Sequence, residues 1–248
     1  MLTLSLLALL LQAASDVPAG PVYSGRDRQL AVRPPRRDTT IIIDGSLDEP
    51  VWREAAALVG FSQFQPQDGV PAADSTQVLV WYSSTAIYFG IRAYEPPERV
   101  RATLAHRDQI DQDDNVQILL GTFRDGRQAT VFMVNPLGVQ ADGTLVEKSA
   151  VSGGWLAQIR SREVPDLSPD FVFQSKGRVT SWGYEIEVRI PFKSLSYQSG
   201  AVQSWDINVV RKVQYLGHED SWAPALKANA SFLSQGGLVH GPEEKDHD

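Results

Sequence analysis

Residues 77–94 constrain the fold more than any other stretch of this chain. Two runs rich in β-branched and aromatic residues flank the short polar segment 83–86, a pattern typical of a β-hairpin with a four-residue loop. Alternate positions on both faces of the hairpin are largely apolar. The sequence therefore predicts that the hairpin lies centrally in a sheet and is covered on both sides.

The rest of the chain continues this pattern of strands. Residues 184–190 alternate between apolar and charged side chains until Pro191 interrupts them, and further short strands are expected at 40–43 and 100–106. Gly and Pro turns separate the runs, and Pro50 marks a short helical turn. These features predict an all-β fold, namely an antiparallel, jelly-roll-like β-sandwich with one or two short helical turns.

Composition limits the chemistry that is available. The 248 residues carry a formal charge of −7 and contain no cysteine. The acidic balance argues against nucleic-acid binding, which requires a basic surface. The lack of cysteine excludes disulfides, thiolate metal sites and cysteine nucleophiles, and the four histidines lack the spacing of a zinc site.

The chain divides into four predicted regions. Residues 1–15 form a leucine-rich run followed by small residues, as in a signal peptide, which predicts an exported protein that is periplasmic, outer-membrane-associated or secreted. Residues 16–38 are rich in Pro and Arg and are expected to form a flexible linker. The folded sandwich is expected at 39–241, and the polar residues 242–248 are expected to form a disordered tail.

Several short motifs occur together in one order. They are IDGSLDEPVW at 43–52, VWY at 80–82, IYFG at 87–90, DNVQI at 114–118 and YEIEVRIPF at 184–192. Together they resemble the family 9 carbohydrate-binding modules. Residues 135–140, 208–212 and 221–224 are similar, more closely, to the family-9-like domain at the N-terminus of bacterial outer-membrane β-barrel proteins.

The resemblance implies a β-sandwich that binds an oligosaccharide or polysaccharide, often with structural calcium. It suggests Asp114, Gln117 and Asn135 as polar contacts to the sugar. Members of the family hold a sugar ring between two tryptophans, but this sequence has Asp111 at one of those positions, and Met133 replaces a polar residue.

Exposed aromatic rings suit the C–H face of a sugar. Trp222 and Trp155 lie near predicted turns and are therefore candidate stacking residues, whereas core packing is the alternative for every tryptophan in the chain.

An acidic loop is the candidate metal site. Asp108, Asp111 and Asp113 could supply oxygen ligands to calcium, although their spacing is not that of an EF-hand. The alternative is a solvated acidic loop.

No strong catalytic motif is present. Glu185 and Glu187 point to one face of a strand, but alternating charges are the ordinary solvent face of a half-buried strand. The sequence therefore predicts non-catalytic glycan binding, serving carbohydrate catabolism or acting as an accessory module of a glycoside hydrolase. The alternative is an accessory or interaction domain of an outer-membrane β-barrel protein that has lost sugar binding.

Overall fold

The computed structural model describes residues 19–147, 162–197, 202–229 and 231–243. In this part of the chain, two β-sheets pack face to face. The strands, numbered in chain order, are β1 Val22–Ser24, β2 Ala31–Val32, β3 Ala56–Val59, β4 Ser62–Gln65, β5 Val70–Pro71, β6 Thr76–Tyr82, β7 Ala86–Tyr94, β8 Asn115–Gly121, β9 Gln128–Val134, β10 Gln140–Val146, β11 Gln174–Thr180, β12 Gly183–Pro191, β13 Val202–Val213, β14 His218–Ser221 and β15 Gly237–Glu243. A short helix, α1, spans Pro50–Glu54, and single 3-10 turns lie at Pro97–Arg99, Phe192–Ser194 and Leu233–Gln235.

The predicted hairpin is confirmed, but its loop is residues 83–85, because Ala86 already belongs to β7. The six-stranded sheet has the order β1-β3-β6-β7-β12-β11, so that the β6–β7 hairpin occupies its two central places. The nine-stranded sheet runs β10-β9-β8-β13-β14-β4-β5, with β15 paired to β13 and to β2. Nearly all neighbouring strands are antiparallel, and the predicted β-sandwich is confirmed.

The main core fills the space between the two sheets. Its members are alternate, inward-facing residues of both sheets, such as Val80, Phe89, Ile118 and Val209. The outer face of the six-stranded sheet is covered by the segment that contains α1, where Trp52 packs edge-on against Trp81 with ring centroids 6.0 Å apart. This covering layer explains why both faces of the central hairpin are apolar.

The covering layer is fastened by Glu187 of β12. One carboxylate oxygen accepts hydrogen bonds from the backbone N–H groups of Asp44 and Gly45, at 2.7 and 2.8 Å, and the other accepts one from the indole of Trp52 at 3.2 Å. Glu185 instead pairs with Arg92 and Arg178. The two carboxylates are therefore engaged in separate structural contacts.

Three predictions about local structure are wrong. Residues 16–38 are not a linker throughout, since β1 pairs in parallel with β3, and β2 pairs in parallel with β15. Residues 40–43 and 100–106, which both belong to the described ranges, form no strand. Backbone hydrogen bonds to distant strands fix β1 and β2, and the apolar content of the segment gives no sign of them.

The chain ends are only partly described. Residues 1–18 and 244–248 fall outside the described part of the chain, so the signal peptide stays a prediction. The proposed tail from 242 begins inside β15, which extends to Glu243. None of the helices that the structure describes is long and apolar enough to cross a membrane.

A charged cluster lies between the sheets around Arg211, whose side chain is fully buried. Its guanidinium donates to Glu95, to the Thr76 hydroxyl and to the backbone carbonyls of Ser75 and Tyr94, at 3.0–3.2 Å. These bonds join β13 of one sheet to β6 and β7 of the other. Arg211 therefore ties the two halves of the sandwich together at this end.

Two buried carboxyl groups share this one guanidinium. Asp220 is 1% exposed, and within the described residues neither of its carboxylate oxygens has a hydrogen-bond partner. Burial raises the pKa of Glu95 to about 7 and that of Asp220 to about 6, while the charge of Arg211 lowers both. Both groups therefore bind protons more tightly in the folded chain than in the unfolded chain.

We expect the protein to lose stability as the pH rises from 5 to 8. A carboxyl group whose folded pKa is raised contributes stability below its ordinary value of about 4, and that contribution is lost as the pH passes the folded pKa. Asp220→Asn mimics the protonated group, so it should raise the free energy of unfolding by about 1 kcal/mol at pH 8 and leave it nearly unchanged near pH 4. Urea unfolding at several pH values measures both effects. An Asp220→Asn variant with the pH profile of the parent would contradict this assignment.

Candidate functional site

A cleft of about 300 Å³ opens on the outer face of the nine-stranded sheet, away from the main core. Its walls combine aliphatic and polar side chains. The residues that line it are Asp108, Ile110, Asp111, Asn115, Gln117, Met133, Ala141, Arg162, Glu163, Val164, Pro165, Leu167, Lys212 and Glu219. Concave sites with an apolar floor and a few convergent polar groups are typical of small-ligand binding.

The pairing register of the sheet brings these side chains together. Met133 of β9 stands opposite Ala141 on one side and Gln117 on the other. Lys212 of β13 stands opposite both Asn115 and Glu219. Since alternate residues of a strand share a face, two rows of outward-facing residues form the floor of the cleft, one mainly apolar and one polar.

Arg162 is the central polar group of the cleft. Its guanidinium donates to the Gln117 side-chain oxygen at 2.5 Å and pairs with Glu219 at 3.2 Å, and it lies 5.9 Å from the Phe232 ring. The Arg162 side chain is only 6% exposed. Its Nη1 atom is nevertheless buried without a hydrogen-bond partner among the described residues. A buried donor of this kind is costly to leave unpaired and is expected to find a partner.

The polar groups around Arg162 are held in place by one another. The side chain of Gln117 donates to that of Asn115 at 2.9 Å. Lys212 donates to the backbone carbonyl of Asp111 at 2.6 Å. The floor of the cleft is therefore pre-organised, and little ordering is required when a ligand binds.

The cleft has an excess of negative charge. Two cationic side chains line it, whereas four carboxylates do so: Asp108, Asp111, Glu163 and Glu219. Arg162 is already paired with Glu219. The site therefore suits a neutral ligand with hydroxyl groups better than an anionic ligand.

The candidate site residues from the sequence fall into separate groups. Asp108, Asp111 and Gln117 line the cleft. Asp111 and Met133 occupy positions at which the family resemblance places a sugar-stacking Trp and a polar contact, and both positions lie in this cleft.

Asp113 and Asn135 lie behind the cleft and support its loops. Both are buried, and the Asn135 amide donates to Asp113 and to the backbone carbonyl of Thr103, at 2.8 Å in each case. The Asn135 side-chain oxygen accepts from the backbone N–H groups of Leu137 and Val139. Every polar atom of the Asn135 side chain is thus engaged, and the prediction that it contacts a sugar is replaced by a structural role.

Asp114 also has a structural role. It is fully buried, and its carboxylate accepts from the backbone N–H groups of Arg101 and Gln214. Burial raises the pKa of Asp114, and these two hydrogen bonds oppose that effect. The predicted contact between Asp114 and a sugar is therefore wrong, because the side chain is enclosed by protein.

Neither candidate tryptophan can be assigned to the cleft. Trp222 is 0% exposed, belongs to the main core and donates its indole N–H to the backbone carbonyl of Tyr23. Its ring offers no free face, so the prediction that it stacks on a sugar is wrong. Trp155 lies outside the described residues.

The acidic loop does not converge on one point. The described residues contain no group of three or more metal-ligating side chains. The Asp113 carboxylate is occupied by Thr103 and Asn135, and Asp108 accepts from the backbone N–H of Asp142. This arrangement does not resemble a calcium site, and calcium binding stays a prediction.

Sequence reasoning missed Arg162, Lys212 and Glu219. Lys212 and Glu219 occupy outward positions on β13 and β14. In a sequence, a charged residue at such a position indicates only that the strand has a solvent-exposed face. Arg162 follows a segment with no regular pattern. A cation and an anion at facing positions of adjacent strands are the one signal that could have indicated a polar floor.

The chain was compared with protein-family models, curated proteins and solved structures. No family model and no curated protein matches it. Among solved structures, it is similar to a family 9 carbohydrate-binding module from Caldicellulosiruptor kristjanssonii in complex with cellotriose, at 15% identity and a TM-score of 0.56, over 87% of this chain and 96% of that one. The same module in complex with glucose gives 14% identity and a TM-score of 0.56, over 88% and 99% of the two chains.

A candidate carbohydrate-binding protein from Bacteroides uniformis is also similar. The identity is 12% and the TM-score 0.61, over 85% of this chain and 98% of that one. At such low identities the likeness establishes the fold. The chain has the fold of the family 9 carbohydrate-binding modules.

Proposed function

We propose that this protein is a non-catalytic carbohydrate-binding module and that it binds a neutral oligosaccharide in the cleft around Arg162. The observation that carries the proposal is the Nη1 donor of Arg162, which has no hydrogen-bond partner among the described residues and is buried at the edge of a preformed cleft. A sugar hydroxyl is a suitable acceptor for that donor. Carboxylates and amides beside it are suitable acceptors and donors for further hydroxyls.

Two further observations support this function. Three cleft positions, Asp111, Gln117 and Met133, are positions that the resemblance aligns with a sugar site. In addition, modules of the same fold have been solved with cellotriose and with glucose. The described lining residues of the cleft are aliphatic or polar and include no aromatic residue, so hydrogen bonds would provide more of the affinity than stacking.

The charge of the cleft defines the class of ligand. Four carboxylates face two cations, so an oligosaccharide of uronic acids would be repelled. Neutral cello-, xylo- and manno-oligosaccharides are the appropriate probes. We further propose an exported protein that serves carbohydrate catabolism.

Arg162→Ala is expected to weaken binding of the best neutral oligosaccharide by about tenfold or more. The variant removes the unpaired donor and leaves Glu219 without its cation, and the loss of a charged hydrogen bond has this magnitude. Isothermal titration calorimetry against the three oligosaccharide series, with and without calcium, measures the change. Arg178→Ala is a matched control, because Arg178 pairs with Glu185 on the other sheet.

The outcomes of this titration are distinct. Tight binding that is unchanged in Arg162→Ala would place the sugar elsewhere. Folded protein that binds none of the probes would instead favour the role of an accessory domain beside a β-barrel region. A response to calcium alone would restore the acidic loop as the candidate metal site.

A further inference from the structure

A second cleft, of about 270 Å³, lies at the edge of the sandwich and has no residue in common with the first. It is lined by Arg26, Val59, Gly60, Phe61, Ala72, Asp74, Ser75, Thr76, Gln77 and Tyr94. Its described lining differs from that of the first cleft in one important respect, since it includes two aromatic residues, Phe61 and Tyr94.

Tyr94 is the exposed one of the two, with 39% of the residue exposed, whereas Phe61 is 4% exposed and belongs to the main core. Tyr94 ends β7 and packs against Trp182 of the β11–β12 turn, with ring centroids 4.8 Å apart and an angle of 34° between the planes. The neighbouring indole holds the Tyr94 ring in a defined orientation. A large aromatic surface that stays exposed beside a polar cleft is suited to contact with the C–H face of a sugar ring.

Hydrogen bonds from the interior of the protein hold the polar groups of this cleft in place. The buried guanidinium of Arg211 donates to the backbone carbonyls of Ser75 and Tyr94 and to the Thr76 hydroxyl. Asp74 accepts a hydrogen bond of 2.7 Å from the Tyr215 hydroxyl. The floor and one wall are therefore rigid, as a binding site requires.

The remaining wall supplies a cation. The backbone N–H of Arg26 is held by the carbonyl of Gly60 at 3.1 Å, while its side chain is exposed at the cleft. Arg26 and Asp74 are the two charged residues of the lining, so the net charge is zero. The side-chain oxygen of Gln77 already accepts a hydrogen bond of 3.4 Å from Arg92, and the amide N–H groups of Gln77 are further donors.

We propose that this cleft is a second carbohydrate-contact site and that it takes one neutral pyranose unit against Tyr94. Its volume lies close to the lower limit of small-molecule sites, about 300 Å³, which suits a single ring better than a chain. Arg26, Asp74 and the Gln77 amide provide hydrogen bonds to the ring hydroxyls, and Tyr94 provides the apolar contact. The inference is independent of the first cleft, because different residues carry it.

The experiment follows the indole N–H signal of Trp182 in proton–nitrogen correlation spectra of the full chain. The sequence has six tryptophans, and the Trp182→Phe variant identifies the signal. The probes are the methyl glycosides of glucose, xylose and mannose, followed by the corresponding oligosaccharides. Four proteins are compared: the parent, Tyr94→Ala, Gln77→Ala and Arg162→Ala.

A saturable shift of the Trp182 signal is expected in the parent and, unchanged, in Arg162→Ala. In Tyr94→Ala the apparent dissociation constant should rise by roughly tenfold or more, as expected when an aromatic anchor is removed, and in Gln77→Ala it should rise less. The other indole signals report that the variants are folded. A Trp182 signal that none of the sugars moves, or that moves equally in Tyr94→Ala, would overturn the second site. Neither result tests sugar binding in the first cleft, which is tested separately by the titration of Arg162→Ala.

Discussion

Replacing Arg211 with alanine is expected to lower the free energy of unfolding by about 3–5 kcal/mol. Arg211 and Glu95 form an ion pair of 3.1 Å in which both side chains are fully buried. Removing one partner of such a pair leaves an uncompensated charge in the interior, which is far more costly than the pair itself is stabilising. The variant also breaks the hydrogen bonds to Ser75, Thr76 and Tyr94 that join the two sheets.

The loss should depend on pH. Burial raises the pKa of Glu95 to about 7, so at pH 5 this group can take up a proton and avoid the unpaired charge. The loss of Arg211 raises the pKa of Glu95 and of Asp220 further, but taking up these protons requires more free energy at pH 8 than at pH 5. The destabilisation by Arg211→Ala is therefore expected to be larger at pH 8 than at pH 5.

Urea unfolding followed by circular dichroism measures both effects. Arg178→Ala is the matched control, because the Arg178 side chain is 53% exposed and its pair with Glu185 is expected to contribute no more than about 1 kcal/mol. If Arg211→Ala cost as little as Arg178→Ala, the ion pair would not be holding the sheets together.

The central hairpin was predictable because its signal is local. The strands β6 and β7 are adjacent in sequence, and each shows apolar residues on both faces. The reason for the second apolar face is not local. Trp52 and Leu47 cover it, and Gly90 leaves room for them, since a Cβ atom at Gly90 would lie 2.7 Å from Leu47 and 2.9 Å from Trp52.

Short strands with distant partners were harder to recognise. The segment before residue 39 looks like a linker because it is rich in Pro and Arg. Yet β1 pairs in register with β3, with Val22 opposite Ala57, and β2 pairs with β15. What fixes these strands is mainly the set of backbone hydrogen bonds to partners more than thirty residues away in the chain, which leaves little trace in the residue pattern.

The cleft was only half predictable for a similar reason. Gln117 could be proposed as a sugar contact because it belongs to the motif at 114–118, and Asp111 could be proposed as a metal ligand because it belongs to the acidic loop before that motif. Arg162 reaches Gln117 from 45 residues further along the chain, and Glu219 comes from a different strand again. A site assembled from three distant segments becomes visible only once the sheet register is known.

Asp114 and Asn135 show the opposite error. Their residue types fit sugar binding, and their positions in the sequence are close to the correct loops. In the structure their polar atoms are used by the protein itself, since Asn135 closes the turn that follows β9 and Asp114 joins Arg101 to Gln214. Burial distinguishes a residue that contacts a ligand from one that makes internal hydrogen bonds. The burial of an individual polar side chain cannot be deduced from the sequence alone.

Trp222→Ala is expected to lower the free energy of unfolding by about 3–5 kcal/mol, the usual cost of removing a large aromatic side chain from a core. The Trp222 ring is 0% exposed, and it packs against Gly237, where an added Cβ atom would lie 2.6 Å from the ring. Its indole N–H would also no longer satisfy the backbone carbonyl of Tyr23, which it contacts at 3.2 Å.

The same variant separates a core role from a sugar-stacking role. If Trp222 were a stacking residue, alanine would weaken sugar affinity and leave stability nearly unchanged. The buried position requires the reverse, namely a large loss of stability and an unchanged dissociation constant in the fraction that remains folded.

Trp222→Phe retains part of the packing and should lose about half as much stability, so it keeps the titration feasible if the alanine variant does not fold. Trp182→Ala is the control for the stability measurement alone, because that half-buried ring lies near the surface, beside the exposed Tyr94 of the second proposed site. The core role would be contradicted by a folded Trp222→Phe protein that has the stability of the parent and a tenfold lower affinity for the sugar. Trp222 would then be a binding residue, and the cleft around Arg162 would have to extend into the main core.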